Sequence, residues 1–102
     1  MHGLDSKAID AICGIGERYA DIEKILLFGS RAVGTYKKSS DVDLAIVGKL
    51  TQSDIWTISG WLNDESPTPY SYDVVNFDAI TDEGFKEVVR SSAKVIYEIT
   101  AT

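Results

Sequence analysis

The sequence predicts a single α/β (α+β) domain over residues 1–102. Two short apolar runs, at residues 25–28 and 44–47, flank a polar loop, as expected for two neighbouring strands. Stretches with helical spacing of apolar residues come before and after these strands. A chain of 102 residues can bury one modest core, and its hydrophobic content of 44% and charged content of 25% are ordinary for a soluble globular protein.

The first predicted element is a helix that runs from Asp5 to about Tyr19. Its apolar residues recur at close to helical spacing, and either Asp5 or Ser6 can cap its N-terminus. Gly14 and Gly16 each lower helix propensity by roughly 1 kcal/mol relative to alanine. The C-terminal part of this helix is therefore expected either to fray or to pack closely against a neighbour.

The two central strands enclose the polar loop. The first strand is predicted at residues 24–28 and stops at Gly29-Ser30; ten residues then separate Ser30 from Asp41, where the second strand begins. Since side chains alternate along a strand, Asp41 and Asp43 share one side. The large aliphatic residues share the other side and are expected to face the core: Val42, Leu44 and Ile46. The two carboxylates therefore point away from the core together.

The paired carboxylates and the loop before them have the chemistry of a metal and phosphate site. Neighbouring carboxylates repel each other, and Mg²⁺ commonly binds one or two carboxylates together with substrate phosphates. Gly29 allows the backbone to approach a ligand closely, and Ser30 offers a hydroxyl and an N–H group where a helix begins. The pattern thus predicts that the loop holds phosphates and the strand holds the metal. The alternative is structural, with Gly29-Ser30 as a turn before an ordinary strand.

A second amphipathic helix is predicted after these strands. Thr51 or Ser53 can cap it, and it is expected to end near Asn63. Its core stripe has helical spacing: Ile55, Ile58 and Leu62. Trp56 and Trp61 point to different sides, so one of them is expected to remain partly exposed. Ordinary packing accounts for both, but an exposed tryptophan can also anchor a protein partner.

A third strand is predicted at residues 70–77, followed by a helix at residues 81–92 and a short last strand at residues 94–99. Asp73 falls inside the third strand, although aspartate is depleted from strands, and such a local conflict often marks a functional site. Asp78 lies at the end of the strand, where aspartate commonly serves turns. The local conflict therefore makes Asp73 a candidate functional residue, and Asp78 is its competitor.

Composition excludes several classes of protein. The net charge of −6, from 16 acidic and 10 basic residues, weighs against binding to long nucleic acids, because lysine and arginine supply most of that affinity. No apolar run approaches the ~20 residues that span a bilayer, and the first residues do not resemble a signal peptide. We therefore expect a cytoplasmic protein that does not bind membranes. Cys13 is the only cysteine and His2 the only histidine, so no zinc site and no histidine-dependent catalysis are expected.

The central stretch resembles a known signature. Gly29-Ser30, ten residues, and then Asp41-x-Asp43 within hydrophobic strands is similar to the signature of the polymerase-beta-like nucleotidyltransferase superfamily. The wider segment FGSRAVGTYKKSSDVDLAI looks most like the minimal nucleotidyltransferases, which are small antitoxins paired with HEPN toxins. The resemblance implies one nucleotidyltransferase domain with a mixed sheet of about four strands and helices packed on one face.

The resemblance also implies a set of site residues. Asp41 and Asp43 match the first two catalytic carboxylates, and Asp73 matches the third, which the family takes from the strand after the second helix. These three residues would hold Mg²⁺, two ions in all. The implied nucleotide-binding residues are Gly29, Ser30 and Arg31.

The loop after Ser30 is the densest basic cluster of the chain. Lys37 and Lys38 would complement a triphosphate there, although exposed lysines are more often ordinary surface residues. Val33 stands where many family members carry a second arginine, so one phosphate contact is missing from this chain.

The implied function is a metal-dependent transfer of AMP from ATP to a hydroxyl group, a tyrosine of a partner HEPN toxin. The chain would act as the antitoxin of that toxin and assemble with it into a hetero-oligomer. The alternative is a noncatalytic module of the same fold that neutralises its partner by binding. An enzyme that adds nucleotides to RNA is disfavoured by the acidic net charge and by the lack of an RNA-binding domain.

Overall fold

A computed structural model describes residues 3–99, so His2 lies outside the described residues. Helices and strands follow one another in the predicted order. The elements are α1 (Ser6–Arg18), β1 (Ile22–Phe28), α2 (Ser30–Val33), β2 (Val42–Gly48), α3 (Gln52–Gly60), β3 (Tyr72–Asn76), α4 (Glu83–Ser92) and β4 (Lys94–Glu98). A π-helical turn, Trp61–Glu65, continues α3, and a 3-10 turn, Phe77–Ala79, follows β3.

The four strands form one mixed sheet in the order β3-β2-β1-β4. β1 runs antiparallel to both β2 and β4, whereas β2 and β3 are parallel. Parallel neighbours need a crossover connection, and α3 with its π-helical turn supplies it. This topology confirms the predicted mixed sheet of about four strands.

The two faces of the sheet are covered by different helices. Ile12 and Ile15 of α1 join the aliphatic residues of one face and the stripe of α3 in the larger core. Val89 of α4 packs against the opposite face. Three strand residues form that contact: Leu26, Phe28 and Ala45. The expectation that helices pack on one face is therefore wrong for α4, because Leu26 and Phe28 give β1 a second apolar face.

Local chemistry explains where α1 begins and how its C-terminal part packs. The Asp5 carboxylate accepts a hydrogen bond of 3.0 Å from the Ala8 N–H group, as expected of an N-cap residue. Gly16 lies against the ring of Tyr97 in β4, where a Cβ atom would collide with the ring carbons. Of the two predicted roles for the helix glycines, close packing is the one that Gly16 fulfils.

The helix between the parallel strands follows its predicted stripe and cap. Thr51 accepts from the Asp54 N–H group at 3.1 Å, and the Asp54 carboxylate accepts from the Thr51 N–H group at 3.0 Å, which forms a capping box. The three predicted stripe residues are all buried: Ile55, Ile58 and Leu62. Trp56 is 69% exposed, whereas Trp61 is half-buried with the guanidinium of Arg18 over its ring.

None of the helices within residues 3–99 has both the length and the apolar character needed to cross a bilayer.

Candidate active site

Two predicted carboxylates lie side by side on neighbouring strands. The register of the parallel pair β2 and β3 places Asp43 opposite Asp73. Paired residues of neighbouring strands project to the same face, which here is the face covered by α4. Asp41 immediately precedes β2; Asp41 and Asp73 are exposed, and Asp43 is half-buried. Asp43 and Asp73 therefore lie side by side near the N-terminal ends of β2 and β3, and Asp41 lies just before β2.

Electrostatics bear out this proximity. Burial raises the pKa of Asp43, and the negative charges of Asp73 and then Asp41 raise it further. Two ion pairs are formed within residues 3–99, Lys24 with Glu98 and Arg90 with Glu87, and neither includes these acids. A cluster of like charges is unfavourable in the free protein, and a bound divalent cation relieves the repulsion.

The position of Asp73 depends on residues outside the central stretch. The side chain of Asn63, in the π-helical turn, donates to the Tyr72 carbonyl at 3.0 Å and accepts from the Tyr72 N–H group at 2.8 Å. The Val42 N–H group donates to the Ser71 carbonyl at 2.8 Å. These bonds fix the start of β3 against both the π-helical turn and β2, and so bring Asp73 level with Asp43.

Gly29 is required at the end of β1 for two reasons. Its φ of +74° and ψ of −157° lie in a region that is essentially restricted to glycine. A Cβ atom at this position would also collide with a carboxylate oxygen of Asp43 and lie 3.2 Å from its Cγ. The loop and the carboxylate strand are therefore in direct contact, and Ser30 begins α2 as predicted.

Arg31 has a different environment from the one that the sequence predicts. Only 2% of its surface is exposed, and its guanidinium donates to the backbone carbonyls of Ser40 and Lys38. Tyr36 and Tyr70 lie over the guanidinium at 5.0 and 5.1 Å from their ring centroids. This side chain therefore binds the backbone of its own loop, and its contact with nucleotide stays a prediction.

The two lysines of the loop are exposed. The backbone N–H group of Lys37 donates to the Ser40 hydroxyl at 2.8 Å, and the Ser40 N–H group returns a bond of 3.0 Å to the Lys37 carbonyl. This turn leaves the side chains of Lys37 and Lys38 free of the core and able to approach a bound anion. Val33, which replaces the expected second arginine, is 58% exposed.

Asp78, the competitor of Asp73, lies away from Asp41, Asp43 and Asp73, which we call the acid cluster. Its carboxylate accepts a hydrogen bond of 3.0 Å from the N–H group of Gly48, at the C-terminal end of β2. Asn76 donates to the Leu50 carbonyl at 3.1 Å nearby. Asp78 thus closes the end of the sheet opposite to Asp43, which agrees with the turn role expected for it.

An aromatic pair beside the acids was not anticipated. Phe28 is paired with Asp43 across β1 and β2, so its ring lies on the same face as that carboxylate. The ring of Phe85, in the first turns of α4, meets Phe28 edge to face with centroids 5.9 Å apart, and Phe85 is 40% exposed. Alternation in β1 could have placed Phe28, but no sequence signal brings Phe85 to this position.

The donor set suits a hard cation that also binds phosphate. Within residues 3–99, no group of three or more His, Cys, Asp or Glu side chains stands ready to hold a metal ion by itself. Asp43 and Asp73 nevertheless present carboxylate oxygens on one face, and their mutual charge favours a cation between them. Mg²⁺ usually completes its shell with water and substrate phosphates, so two such carboxylates fit its requirements.

Comparison with known proteins identifies relatives of this arrangement. A family model described as "Polymerase beta, Nucleotidyltransferase" matches residues 10–101. A search of curated protein sequences gives no match.

Similar folds occur in solved structures of toxin–antitoxin systems. A chain of a toxin–antitoxin crystal structure with AMP-PNP superposes with a TM-score of 0.74 at 21% identity, over 89% of this chain and 73% of that one. A chain from the structure of a tri-AMPylated Shewanella oneidensis HEPN toxin in complex with MNT antitoxin superposes with a TM-score of 0.68 at 18% identity. The match covers 90% of this chain and 71% of that one. A chain from the toxin–antitoxin structure MntA-HepT superposes with a TM-score of 0.70 at 17% identity, over 93% of this chain and 74% of that one. At these identities the similarity shows the fold.

Proposed function

The chain belongs to the polymerase beta nucleotidyltransferase family, and from this premise we propose that it transfers AMP from ATP to a hydroxyl of a partner protein. The partner is a HEPN toxin, the acceptor is a tyrosine of that toxin, and the chain acts as its cytoplasmic antitoxin. The observation that carries the proposal is the register of Asp43 with Asp73 beside Gly29. That contact places a carboxylate pair against the loop that the signature assigns to phosphate.

Each site residue has a separate role in the proposed reaction. Gly29 and Ser30 hold the β- and γ-phosphates, which leave together as pyrophosphate. Asp41, Asp43 and Asp73 would hold the Mg²⁺ ions, which would supply charge stabilisation at the attacking and leaving oxygens. Asp73 accepts the proton of the acceptor hydroxyl, since it is exposed on the same face.

The chemistry balances without a further reactant. The acceptor oxygen forms a bond to the α-phosphorus of ATP while the bond from that phosphorus to the bridging oxygen of the β-phosphate breaks. The hydroxyl proton passes to the Asp73 carboxylate and then to water. The products are the AMP-modified hydroxyl and pyrophosphate.

The proposed partner follows from the neighbours and from one exposed side chain. The solved structures with this fold include a toxin–antitoxin with AMP-PNP and an MNT antitoxin with a tri-AMPylated HEPN toxin. Trp56, on the outer side of α3, is 69% exposed and can enter a pocket of a partner. The chain and the toxin would then form a hetero-oligomer.

A transfer assay tests the proposal. The chain is incubated with a HEPN protein, Mg²⁺ and ATP labelled at the α-phosphate, and the partner is examined by intact mass and peptide mapping. We expect a mass gain of one or more nucleotides on a tyrosine, and no gain with the Asp43→Asn variant. Failure of the wild-type protein to modify any partner peptide would reject transfer.

A noncatalytic module that neutralises the toxin by binding is the second candidate. Its supporting observation is the exposed Trp56, which can contact a partner whether or not transfer takes place. Calorimetry separates the two candidates, because a transferase must bind ATP in a metal-dependent manner whereas an occluding module need not bind nucleotide.

A further inference from the structure

We propose that Arg31 is a positioning residue that joins the phosphate loop to the segments entering both carboxylate strands, without touching the nucleotide itself. Among residues 3–99 it is the one charged side chain that is buried, with 2% of its surface exposed. Burial of a charge is costly unless its donors are paired, so a guanidinium in this position needs a structural reason. The contacts of Arg31 supply that reason.

The first contact is with the peptide that leads into the carboxylate strand. The Nε atom of Arg31 donates to the Ser40 carbonyl at 3.2 Å, and one of its terminal nitrogens donates to the same carbonyl at 3.0 Å. That terminal nitrogen also lies 3.4 Å from the Lys38 carbonyl. The Ser40 carbonyl belongs to the peptide unit that carries the N–H group of Asp41. The guanidinium therefore fixes the orientation of the chain where Asp41 begins.

The second contact is with the segment that leads into β3. The guanidinium lies over two aromatic rings, at 5.0 Å from the Tyr36 centroid and 5.1 Å from the Tyr70 centroid. Tyr36 belongs to the loop, whereas Tyr70 stands three residues before Asp73. A desolvated cation over two aromatic rings is well stabilised. The same side chain thus holds the approach to Asp73.

Three parts of the site are therefore joined at one residue. Arg31 directly follows Gly29-Ser30, and its side chain reaches the loop before Asp41 and the segment before Asp73. Lysine cannot reproduce this arrangement, because its single nitrogen neither gives parallel hydrogen bonds to one carbonyl nor stacks as a plane. The geometry assigns Arg31 to the relative placement of the phosphate loop and the carboxylates.

The test compares Arg31→Met and Arg31→Lys with a matched control. Arg18→Met removes another guanidinium that lies over an aromatic ring, at 5.5 Å from the Trp61 centroid, but in the last turn of α1 and outside the loop. Two readouts are used: amide hydrogen exchange of residues 37–42, and steady-state kinetics of AMP transfer. The exchange readout is independent of the proposed function, whereas the kinetic readout rests on it.

The positioning role predicts a specific pattern. In Arg31→Met, exchange at residues 37–42 rises by about tenfold, as expected for the loss of charge-assisted hydrogen bonds. The kcat for transfer falls by roughly 10- to 100-fold, because small misplacements of reacting groups have effects of this size. The KM for ATP stays within about twofold, since no phosphate contact is lost. Arg31→Lys lies between wild type and Arg31→Met, and Arg18→Met matches wild type in both readouts.

Two results would overturn the proposal. One is a large rise in KM for ATP with unchanged exchange of the loop, which would make Arg31 a nucleotide ligand. The other is normal exchange and normal kcat of the folded Arg31→Met protein, which would leave Arg31 with a role in stability alone. If Arg31→Met does not fold, Tyr70→Leu is used instead, and the same pattern is expected at smaller amplitude. If the wild-type protein transfers no AMP, the proposed function fails while the exchange result still decides the positioning role.

Discussion

The two ends of the parallel strand pair use the same residue type in opposite ways. At the N-terminal ends of β2 and β3, Asp43 and Asp73 face each other across the register, and each raises the energy of the other's charge. At the C-terminal ends, Asp78 accepts a hydrogen bond from the Gly48 N–H group and Asn76 donates to the Leu50 carbonyl. At the C-terminal ends, Asp78 and Asn76 are hydrogen-bonded within the chain, whereas negative charges lie close together at the N-terminal ends.

This difference separates structure from chemistry within one sheet. An open cavity of about 540 Å³ lies at the C-terminal end and is bordered by Asn76 and Asp78. Its size alone would make it a candidate ligand site, but the side chains of Asn76 and Asp78 are already hydrogen-bonded to backbone. The N-terminal end carries the repulsion that a metal and a phosphate would relieve. Unrelieved charge is the better guide to function here.

The largest expected effect contrasts one acid from each end. Asp43→Asn should lower AMP transfer by about 100-fold or more, because loss of metal-mediated charge stabilisation costs several kcal/mol in the transition state. Asp78→Asn keeps an acceptor for the Gly48 N–H group and should transfer at the wild-type rate. Initial rates with α-labelled ATP measure both. Equal losses in the two variants would remove the distinction between the ends.

Substitution of two glycines tests the claim that the loop after β1 contacts the acid cluster. Gly29→Ala imposes a backbone strain of about 1–3 kcal/mol and also drives a Cβ atom into the Asp43 carboxylate. Gly34→Ala is the matched control, since Gly34 also has a positive φ, of 89°, but nothing lies within 4 Å of its added Cβ. We expect both to lower stability in urea denaturation.

Only Gly29→Ala should also lower transfer by the folded protein, since only that variant displaces a carboxylate. If Gly34→Ala reduces transfer as much, backbone strain rather than contact with Asp43 would explain the requirement for glycine.

A substitution of Asp78, at the C-terminal end of the strand pair, should change stability but not transfer. Asp78→Ala removes the acceptor of the Gly48 N–H group, which should lower the unfolding free energy by about 1 kcal/mol. Transfer by the folded protein should be unchanged, because Asp78 does not belong to the acid cluster. Urea unfolding followed by far-UV circular dichroism measures the first quantity, and the rate assay measures the second. An unchanged unfolding midpoint would show that this bond contributes nothing.

The smallest expected effect concerns pH in the metal-free protein. Burial, and then the charges of Asp73 and Asp41, raise the pKa of Asp43. Between the unfolded value of about 3.9 and the raised folded value, the folded protein binds more protons than the unfolded chain. This residue therefore lowers stability as pH rises through that interval, and the loss persists above it.

Asp43→Asn removes this contribution. The unfolding free energy of the variant minus that of wild type should grow as pH rises through the interval, when both are measured in urea with a chelator present. If the difference in unfolding free energy between Asp43→Asn and wild type does not depend on pH, repulsion at Asp43 is not supported.

The sequence was sufficient to predict the strands and the longer helices because these depend on local patterns, whereas the grouping of Asp73 with Asp43 was implied by the family resemblance. Alternation placed Asp43 on the face where it is found, and the caps at Asp5 and Thr51 were predicted from residue type. The π-helical turn that fixes Asn63 against β3 was not predicted, since it follows from tertiary contacts and not from local pattern.

The features that the sequence does not specify have a common physical origin. Arg31 lies in a basic loop, and its burial against two tyrosines follows from long-range packing. The second covered face of the sheet depends on α4 folding back onto Leu26 and Ala45, and the approach of Phe85 to Phe28 depends on the same packing. Local pattern does not specify which helix covers which face.

One measurement tests the central claim most directly, that the acid end of the sheet is a metal and nucleotide site. A nonhydrolysable ATP analogue is titrated calorimetrically into the wild-type protein and into Asp43→Asn and Asp78→Asn, with Mg²⁺ and with a chelator. We predict binding by the wild-type and Asp78→Asn proteins only when Mg²⁺ is present, and none by Asp43→Asn. Binding that is absent in the wild type, or that persists unchanged in Asp43→Asn, would contradict the claim.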